Sequence, residues 1–342
     1  MMTTQVLPDF VTKDLRVQDP PRFTVVSTFA GCGGSSTGYV WAGGKVLLAV
    51  EWDDNAVQTY KLNYPDTPVY HGDIAKLSVE EALRLTGLQR GELDIFDGSP
   101  PCQGFSTAGK RDFGDDRNQL FREYVRLLCG FMPKVFVMEN VSGMVKGKMK
   151  LIFVDILREL KASGYKVSAR LLNAKYFGVP QSRERMIFIG VRDDLGIEPT
   201  HPKAQTRPIT VREATADSEV VQNAPVWREY NRKLWLRMKP GDNGVNGTAF
   251  NHCRIHPDHS SPTIPKSAVF GGFSGLYHWS EPRSLHIGEL RRIGSFPDQY
   301  RFIGGYEASL NRIGNSVPPM FMYHIAAHIR DNILTRTEAA DG

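Results

Sequence analysis

The chain has 342 residues, a formal net charge of +5 and a pI near 8.9, which fits one large domain or two unequal ones with a substantial core. No apolar run approaches the roughly 20 residues needed to cross a bilayer, and no opening segment joins a basic start to an apolar run and a small-residue cleavage site, so the sequence predicts a soluble, cytoplasmic protein. Its four cysteines, Cys32, Cys102, Cys129 and Cys253, form no C-x-x-C pair or dense framework, which predicts free thiols rather than disulfides.

Residues 1–22 carry Pro8, Pro20 and Pro21 without clear periodicity and predict a flexible or draped arm. From Phe23 onward, apolar β-branched runs at 23–28, 45–52, 93–96 and 135–139 alternate with amphipathic segments at 35–43, 54–63, 118–131 and 148–163. A third strand ends at "YHGDI", and two more follow at 166–174 and 185–192. This alternation predicts an α/β domain over 23–192, with a parallel sheet covered by helices on both faces. Residues 193–283, rich in Pro, Gly, Asn, His and Trp, break the rhythm and open a smaller loop-rich domain, predicted over 193–302. The remainder, 303–342, is predicted as a C-terminal segment whose helix returns to the first domain. Within these parts, 287–294 reads as a helix, and "RIGNSVPPMFMYHIAAHIR" reads as another, with Asn315 or Ser316 as N-cap candidates and prolines in its first turn.

The first strand runs into "FAGCGGSSTGYVWAGG". Glycines between a strand and a helix let a ligand approach the backbone, and Glu51, some 20 positions on, can hold a ribose hydroxyl. Asp73 could accept from an adenine amino group. Gly31, Gly33, Gly34 and Gly38 depart from G-x-G-x-x-G because Ser36 stands at the third glycine; a tight packing turn remains the alternative, as an ordinary polar turn does for Asp73.

In "GSPPCQGFS", two prolines end the fourth strand and put Cys102 just beyond its carboxyl end, where open α/β sheets place their ligands. "MENV" delivers Glu139 to the same edge, and "QSRERM" delivers Arg183 and Arg185. Taken singly, each has a structural reading: a small buried Cys, a Glu pairing an Arg, an Arg flanking a strand. Together, a thiol, a carboxyl and guanidinium groups converge beside a nucleoside pocket.

"FAGCGG", "GSPPCQGFS", "MENV", "QSRER" and "RIGNSVPP", in this order and spacing, resemble the DNA cytosine-5 methyltransferases of bacteria over about residues 24–330. The resemblance implies a Rossmann-like S-adenosylmethionine-dependent sheet, with residues 193–283 as the family's variable target-recognition region. It implies that Cys102 adds to carbon 6 of a flipped-out cytosine, that Glu139 donates toward ring nitrogen 3, that Arg185 binds the base's carbonyl oxygen, and that Arg183 supports that end of the pocket or the nucleophile loop. Phe29, Ala30, Gly31, Cys32, Gly33 and Gly34 would line the cofactor, Glu51 hold its ribose, and Trp52 pack on its adenine. Asp73 and Ile74 would contact the adenine, with Pro101, Leu120, Asn315 and Ser316 completing the pocket. The partner implied is double-stranded DNA with a short specific site, met by a monomer without a metal, in a restriction-modification setting where any cognate endonuclease acts separately. Ser27 and Thr28 depart from the Asp-Leu of many relatives; lying in a strand, they are expected to matter little.

A base inside stacked DNA cannot reach Cys102, so flipping is required, and residues 103–120 suit a loop that closes over the DNA. Site choice falls to 193–283, where Thr263 and Ile264 match a short signature of the family's recognition region. "NHCRIHPDH" admits a metal alternative through His252, Cys253, His256 and His259, although its spacing fits no standard zinc pattern. Basic clusters at Lys110, Arg111, Arg117, Arg122 and Arg126, and at Arg228, Arg232, Lys233, Arg237 and Lys239, read either as polyanion-binding surfaces or as solvated helix faces. Rival readings are an RNA cytosine methyltransferase, a dinucleotide-dependent oxidoreductase, which leaves Cys102, Glu139 and Arg185 without joint purpose, and a DNA-binding protein with a decayed site.

Overall fold

In the computed structural model, the described residues are 7–101, 119–145, 149–218, 225–245, 248–268 and 274–338. Seven strands form one sheet: β1 Phe23–Thr28, β2 Gly44–Glu51, β3 Val69–His71, β4 Ile95–Gly98, β5 Val135–Val141, β6 Tyr165–Asn173 and β7 Glu184–Arg192. Their order is β3-β2-β1-β4-β5-β7-β6. β1 through β5 pair in parallel, as the alternation with helices requires. β7 does not: it lies antiparallel to β5, so the sheet is mixed rather than parallel throughout. The physical reason is the short connection at 174–183, which carries only a 3₁₀ turn where a parallel return needs a crossover of roughly a dozen residues or more.

The helices between successive strands of this sheet are α1 Gly34–Trp41, α2 Asp54–Asn63, α3 Val79–Thr86, α4 Gln119–Phe131 and α5 Met149–Ala162. Local chemistry sets their ends. The Asp53 carboxylate accepts from Ala56 N–H and the Ser78 hydroxyl from Glu81 N–H, while Gly87 closes α3 in left-handed backbone at φ 71°. All four residues of β4 are buried, and Phe96, Tyr124, Phe131, Phe136 and Phe188 make an aromatic core around it. At the opposite end from the site, Asp94 accepts from Thr24 N–H and hydroxyl at 2.9 and 3.0 Å and pairs with Lys134 at 2.9 Å.

Residues 1–14, 173–183 and 204–321 make a second compact unit. It contains α6 Val211–Thr215, α7 Glu229–Arg237, α8 Ile287–Ile293 and α9 Tyr306–Asn315, with a small sheet of β8 Asn243–Val245, β9 Thr248–Arg254 and β10 Leu276–Tyr277. The N-terminal arm is anchored here from residue 9, because Phe10 and Val11 are buried and Val11 C=O accepts from Asp298 N–H at 2.9 Å. A further helix, α10 Pro319–Ile329, starts on Pro319, the first-turn position where a missing N–H costs nothing. Asn315 and Ser316 are not its N-caps: Asn315 ends α9 and Ser316 caps the carboxyl end of α9, donating its hydroxyl to Arg312 C=O at 2.7 Å. Among the described residues no helix is long and apolar enough to cross a membrane.

Candidate active site

The sheet order reverses between β1 and β4, and β1, β2, β4 and β5 all point their carboxyl ends to the edge at that switch point. β1 leaves it through Phe29 at φ 54°, Gly31 at 55° and Gly33 at 99°. Left-handed backbone suits glycine, and Phe29 adopts it without that freedom. A Cβ added to Gly31 would meet nothing within 4 Å, so the space over the turn is open. Cys32 and Gly34 are buried beneath it, and Ala30 is nearly so.

Glu51, at the end of β2, organises this turn. Its Oε2 accepts from Gly31 N–H at 2.8 Å, and its Oε1 from Trp52 and Asp53 N–H at 2.9 Å each. A carboxylate offers about four acceptor positions, so three backbone bonds leave room for one hydroxyl. The Trp52 ring beside it is 76 % exposed, an open apolar face for a planar group. Asp73 is exposed and caps a 3₁₀ turn by accepting from Ala75 N–H at 3.0 Å, whereas the side chain of Ile74 belongs to the core. Leu120 packs on that core from the first turn of α4, and Pro101 is exposed.

The adjacent strands carry charged side chains. β4 runs into Ser99, Pro100 and Pro101; Cys102 and residues 103–118 of the expected closing loop lie outside the described residues. On β5, Glu139 faces Ile187 of β7, while Val141 faces Arg185. Residues two apart share a face, so Glu139 and Arg185 are diagonal neighbours, and Arg185 Nε lies 2.7 Å from Glu139 Oε1. Both side chains are mostly buried, which strengthens such a charge-assisted bond. Arg185 also donates through Nη1 to Glu184 C=O at 2.7 Å.

Three residues escaped the sequence reading. Asn140 donates through Nδ2 to Pro100 C=O at 3.1 Å and accepts Val141 N–H on Oδ1 at 2.8 Å, fixing the proline pedestal to β5. Gly98 is the only residue type that fits its site, since a Cβ would overlap Thr28 Oγ1 and the Tyr124 ring. Asp97 is a fully buried carboxyl in an otherwise apolar strand. The signal for Asp97 was in the sequence, because a charge inside a buried strand needs partners.

In the second unit, Arg183 is buried and donates through Nη2 to Gly314 C=O at 2.8 Å. The Gln181 to Arg183 segment also meets the Thr-Ile pair: Thr263 donates to Ser182 C=O at 2.8 Å, and Ile264 N–H donates to Gln181 Oε1 at 3.2 Å. A Cβ on Gly314 would collide with Pro265 C=O, so the glycine is set by close packing. Arg183, Asn315 and Ser316 thus belong to one compact unit, and Glu139, Arg185 and the glycine turn to the other.

The remaining motifs resolve into particular contacts. His252 Nδ1 pairs with the Tyr277 hydroxyl at 2.7 Å, and the His256 and His259 rings stack at 4.2 Å. Burial pushes the Cys253 thiol up to about 11. No group of three or more His, Cys, Asp or Glu suited to a metal occurs among the described residues. Arg126 is structural, bonded to Glu123 and to the Ile74 and Leu77 carbonyls. Arg228, Arg232, Lys233, Arg237 and Lys239 are all exposed, on or beside α7.

The sequence matches the C-5 cytosine-specific DNA methylase family over residues 23–331. It is 34 % identical over 326 residues to the Type II methyltransferase M1.HphI of Haemophilus parahaemolyticus, covering 89 % of this chain and 85 % of that protein. Over 345 residues it is 32 % identical to the Type II methyltransferase M.NgoPII of Neisseria gonorrhoeae, covering 90 % and 96 %. Among solved structures, a prophage-encoded E. coli protein described as a DNA modification methyltransferase superposes with a TM-score of 0.77 at 23 % identity, covering 91 % of this chain and 99 % of that one. A DNMT2 variant from Spodoptera frugiperda gives 0.64 at 19 %, covering 92 % and 99 %. These two likenesses speak for the fold.

Proposed function

The chain belongs to the C-5 cytosine-specific DNA methylase family, and from that premise we propose that it methylates carbon 5 of a flipped-out cytosine at one short sequence in double-stranded DNA, through a covalent adduct of Cys102. S-adenosylmethionine supplies the electrophilic methyl group. The residues present suit it: the open space over Gly31 takes a ligand close to the backbone, Glu51 has one acceptor position left for a ribose hydroxyl, and the Trp52 ring offers a stacking face.

Carbon 5 of cytosine is a poor nucleophile. Addition of the Cys102 thiolate to carbon 6 forms an S–C bond and pushes the electron pair of the 5,6 double bond toward nitrogen 3, where Glu139 supplies a proton or hydrogen bond. Arg185 holds the ring's carbonyl oxygen. The resulting enamine takes the methyl on carbon 5, leaving S-adenosylhomocysteine; a base, such as water, removes the carbon-5 proton, the thiolate leaves as the double bond reforms, and nitrogen 3 returns its proton to Glu139. Arg183 is held within its own unit by its bond to Gly314 C=O. The reading is carried by the 2.7 Å pair of Glu139 and Arg185 at the edge where β4 leads into Pro100, Pro101 and Cys102.

The reading extends to a monomer that works without a metal and protects its own genome beside a separate endonuclease, as the Type II relatives' names suggest. Residues 193–302 choose the target sequence, aided by the exposed cations near α7, which suit phosphates. The test is bisulfite sequencing of DNA from a methylation-free host expressing the chain or Cys102→Ala. Cytosines methylated in one short motif, absent with the variant, are expected; unmodified DNA from a folded protein that binds S-adenosylhomocysteine would overturn the DNA reading and leave RNA as the substrate to test.

A further inference from the structure

The carboxyl group of Asp97 is 2 % exposed, and the catalytic scheme does not use it. Its Oδ2 accepts from the Ser27 hydroxyl at 2.9 Å and its Oδ1 from the Tyr39 hydroxyl at 3.1 Å, while its backbone C=O accepts from Thr28 Oγ1 at 2.9 Å. These partners sit on the two elements that enclose the glycine turn: β1 leads into Phe29, and α1 leads out of Gly33. Asp97 itself lies on β4, five residues before Cys102. One buried group therefore fastens both stems of the turn to the strand that carries the nucleophile.

We propose that Asp97 is a positioning residue for methyl transfer, holding the cofactor turn and the Cys102 pedestal in one register through Ser27 and Tyr39. The proposal rests on the methyltransferase reading above. It also revises the expectation for Ser27 and Thr28: both hydroxyls bind Asp97, so these two positions and Asp97 form one polar unit. Desolvation pushes the Asp97 carboxyl up to about 7, against the lowering effect of the Ser27 and Tyr39 hydrogen bonds, with the Glu139 charge adding to the rise. A buried carboxyl kept in spite of that cost is expected to have a task. The other titratable groups acting on it are Tyr39 of α1, Tyr60 of α2 and Tyr124 of α4.

A control is built into the same strands. Asp94 joins β1 to β4 at their far end through Thr24, so its loss removes a comparable clamp without touching the turn. The experiment measures calorimetric affinity for S-adenosylhomocysteine, single-turnover methylation and melting temperature for the full chain and for Asp97→Ala, Asp97→Asn, the exchange Ser27→Asp with Asp97→Ser, and Asp94→Asn. Expected are at least a 10-fold weaker affinity and a similarly slower turnover for Asp97→Ala. Asp97→Asn and the exchange, which keep a polar bridge between β1 and β4, should recover to within about threefold, with Asp94→Asn losing melting temperature only. Unchanged affinity in folded Asp97→Asn and Asp97→Ala, or an equal loss in Asp94→Asn, would overturn the proposal; should Asp97→Ala not fold, Asp97→Asn and the exchange must lie between it and the wild type, or the idea fails. If the wild type itself does not bind S-adenosylhomocysteine, the methyltransferase reading is what fails.

Discussion

Replacing Glu51 by Gln isolates what the carboxylate does for the glycine turn. Three backbone N–H groups converge on it, from Gly31 at 2.8 Å and from Trp52 and Asp53 at 2.9 Å. A Gln amide has one oxygen, so if that oxygen keeps the Trp52 and Asp53 bonds, its NH2 group faces the Gly31 N–H, donor against donor. Hydrogen bonds to a charged group contribute about 1.5–3 kcal/mol each, so the turn loses about 2 kcal/mol of organisation that ligand binding must restore. At about 1.4 kcal/mol per decade, the dissociation constant for S-adenosylmethionine rises about 30-fold. Global stability should fall little, since the lost bond orders a surface turn and not the core, and the melting temperature should drop by only a few degrees. Isothermal titration calorimetry on Glu51→Gln and wild type, with melting curves on the same samples, tests this. An affinity within twofold of wild type in a folded variant would refute the reasoning.

Asn140→Ala leaves the Pro100 carbonyl and Val141 N–H without their side-chain partner, a loss of about 1–3 kcal/mol at the nucleophile pedestal; single-turnover methylation should slow 10- to 100-fold while calorimetric affinity for S-adenosylhomocysteine holds. Gly98→Ala drives a methyl group into Thr28 and Tyr124, an overpacking cost of about 1–3 kcal/mol, and denaturant titration should show a lower midpoint at unchanged slope. Burial holds the His201 imidazole down to about 4, against 6.5 for the free group. Between those values the unfolded chain binds more protons, so this contribution is complete above about pH 6.5 and is lost as pH falls toward 4. Melting temperatures followed from pH 7.5 to 4.5 should therefore fall less steeply for His201→Gln than for wild type, and parallel curves would count against the assignment. DNA carrying 5-fluorocytosine in the recognised motif should trap wild-type protein as a covalent complex and leave Cys102→Ala free in a denaturing gel, because fluorine cannot leave as the carbon-5 proton does.

The sequence by itself determined the strands through residue 192 and four of the five helices between them, because β-branched runs, capping residues and glycine turns are local signals that tertiary context here leaves intact; α3 went unread although Ser78 and Gly87 mark its ends. It also determined the family, since the motifs around Cys102, Glu139, Arg183 and Arg185 resemble it in order and spacing and the family match covers residues 23–331. Only the tertiary structure decided that β7 runs against β5, because orientation follows from which slot of the sheet is vacant and how short the connection is. It alone joined Glu139 to Arg185 across that antiparallel pair, and bound Gln181, Arg183, Ile264 and Gly314 into one unit, since these contacts span tens to more than a hundred positions of chain. The same holds for Asp97: the sequence offers a carboxyl in an apolar strand, and only the fold brings Ser27 and Tyr39, 70 and 58 positions away, within hydrogen-bond reach of it. Local propensity is written residue by residue, whereas the partners of a buried charge depend on which distant surfaces the packing brings together.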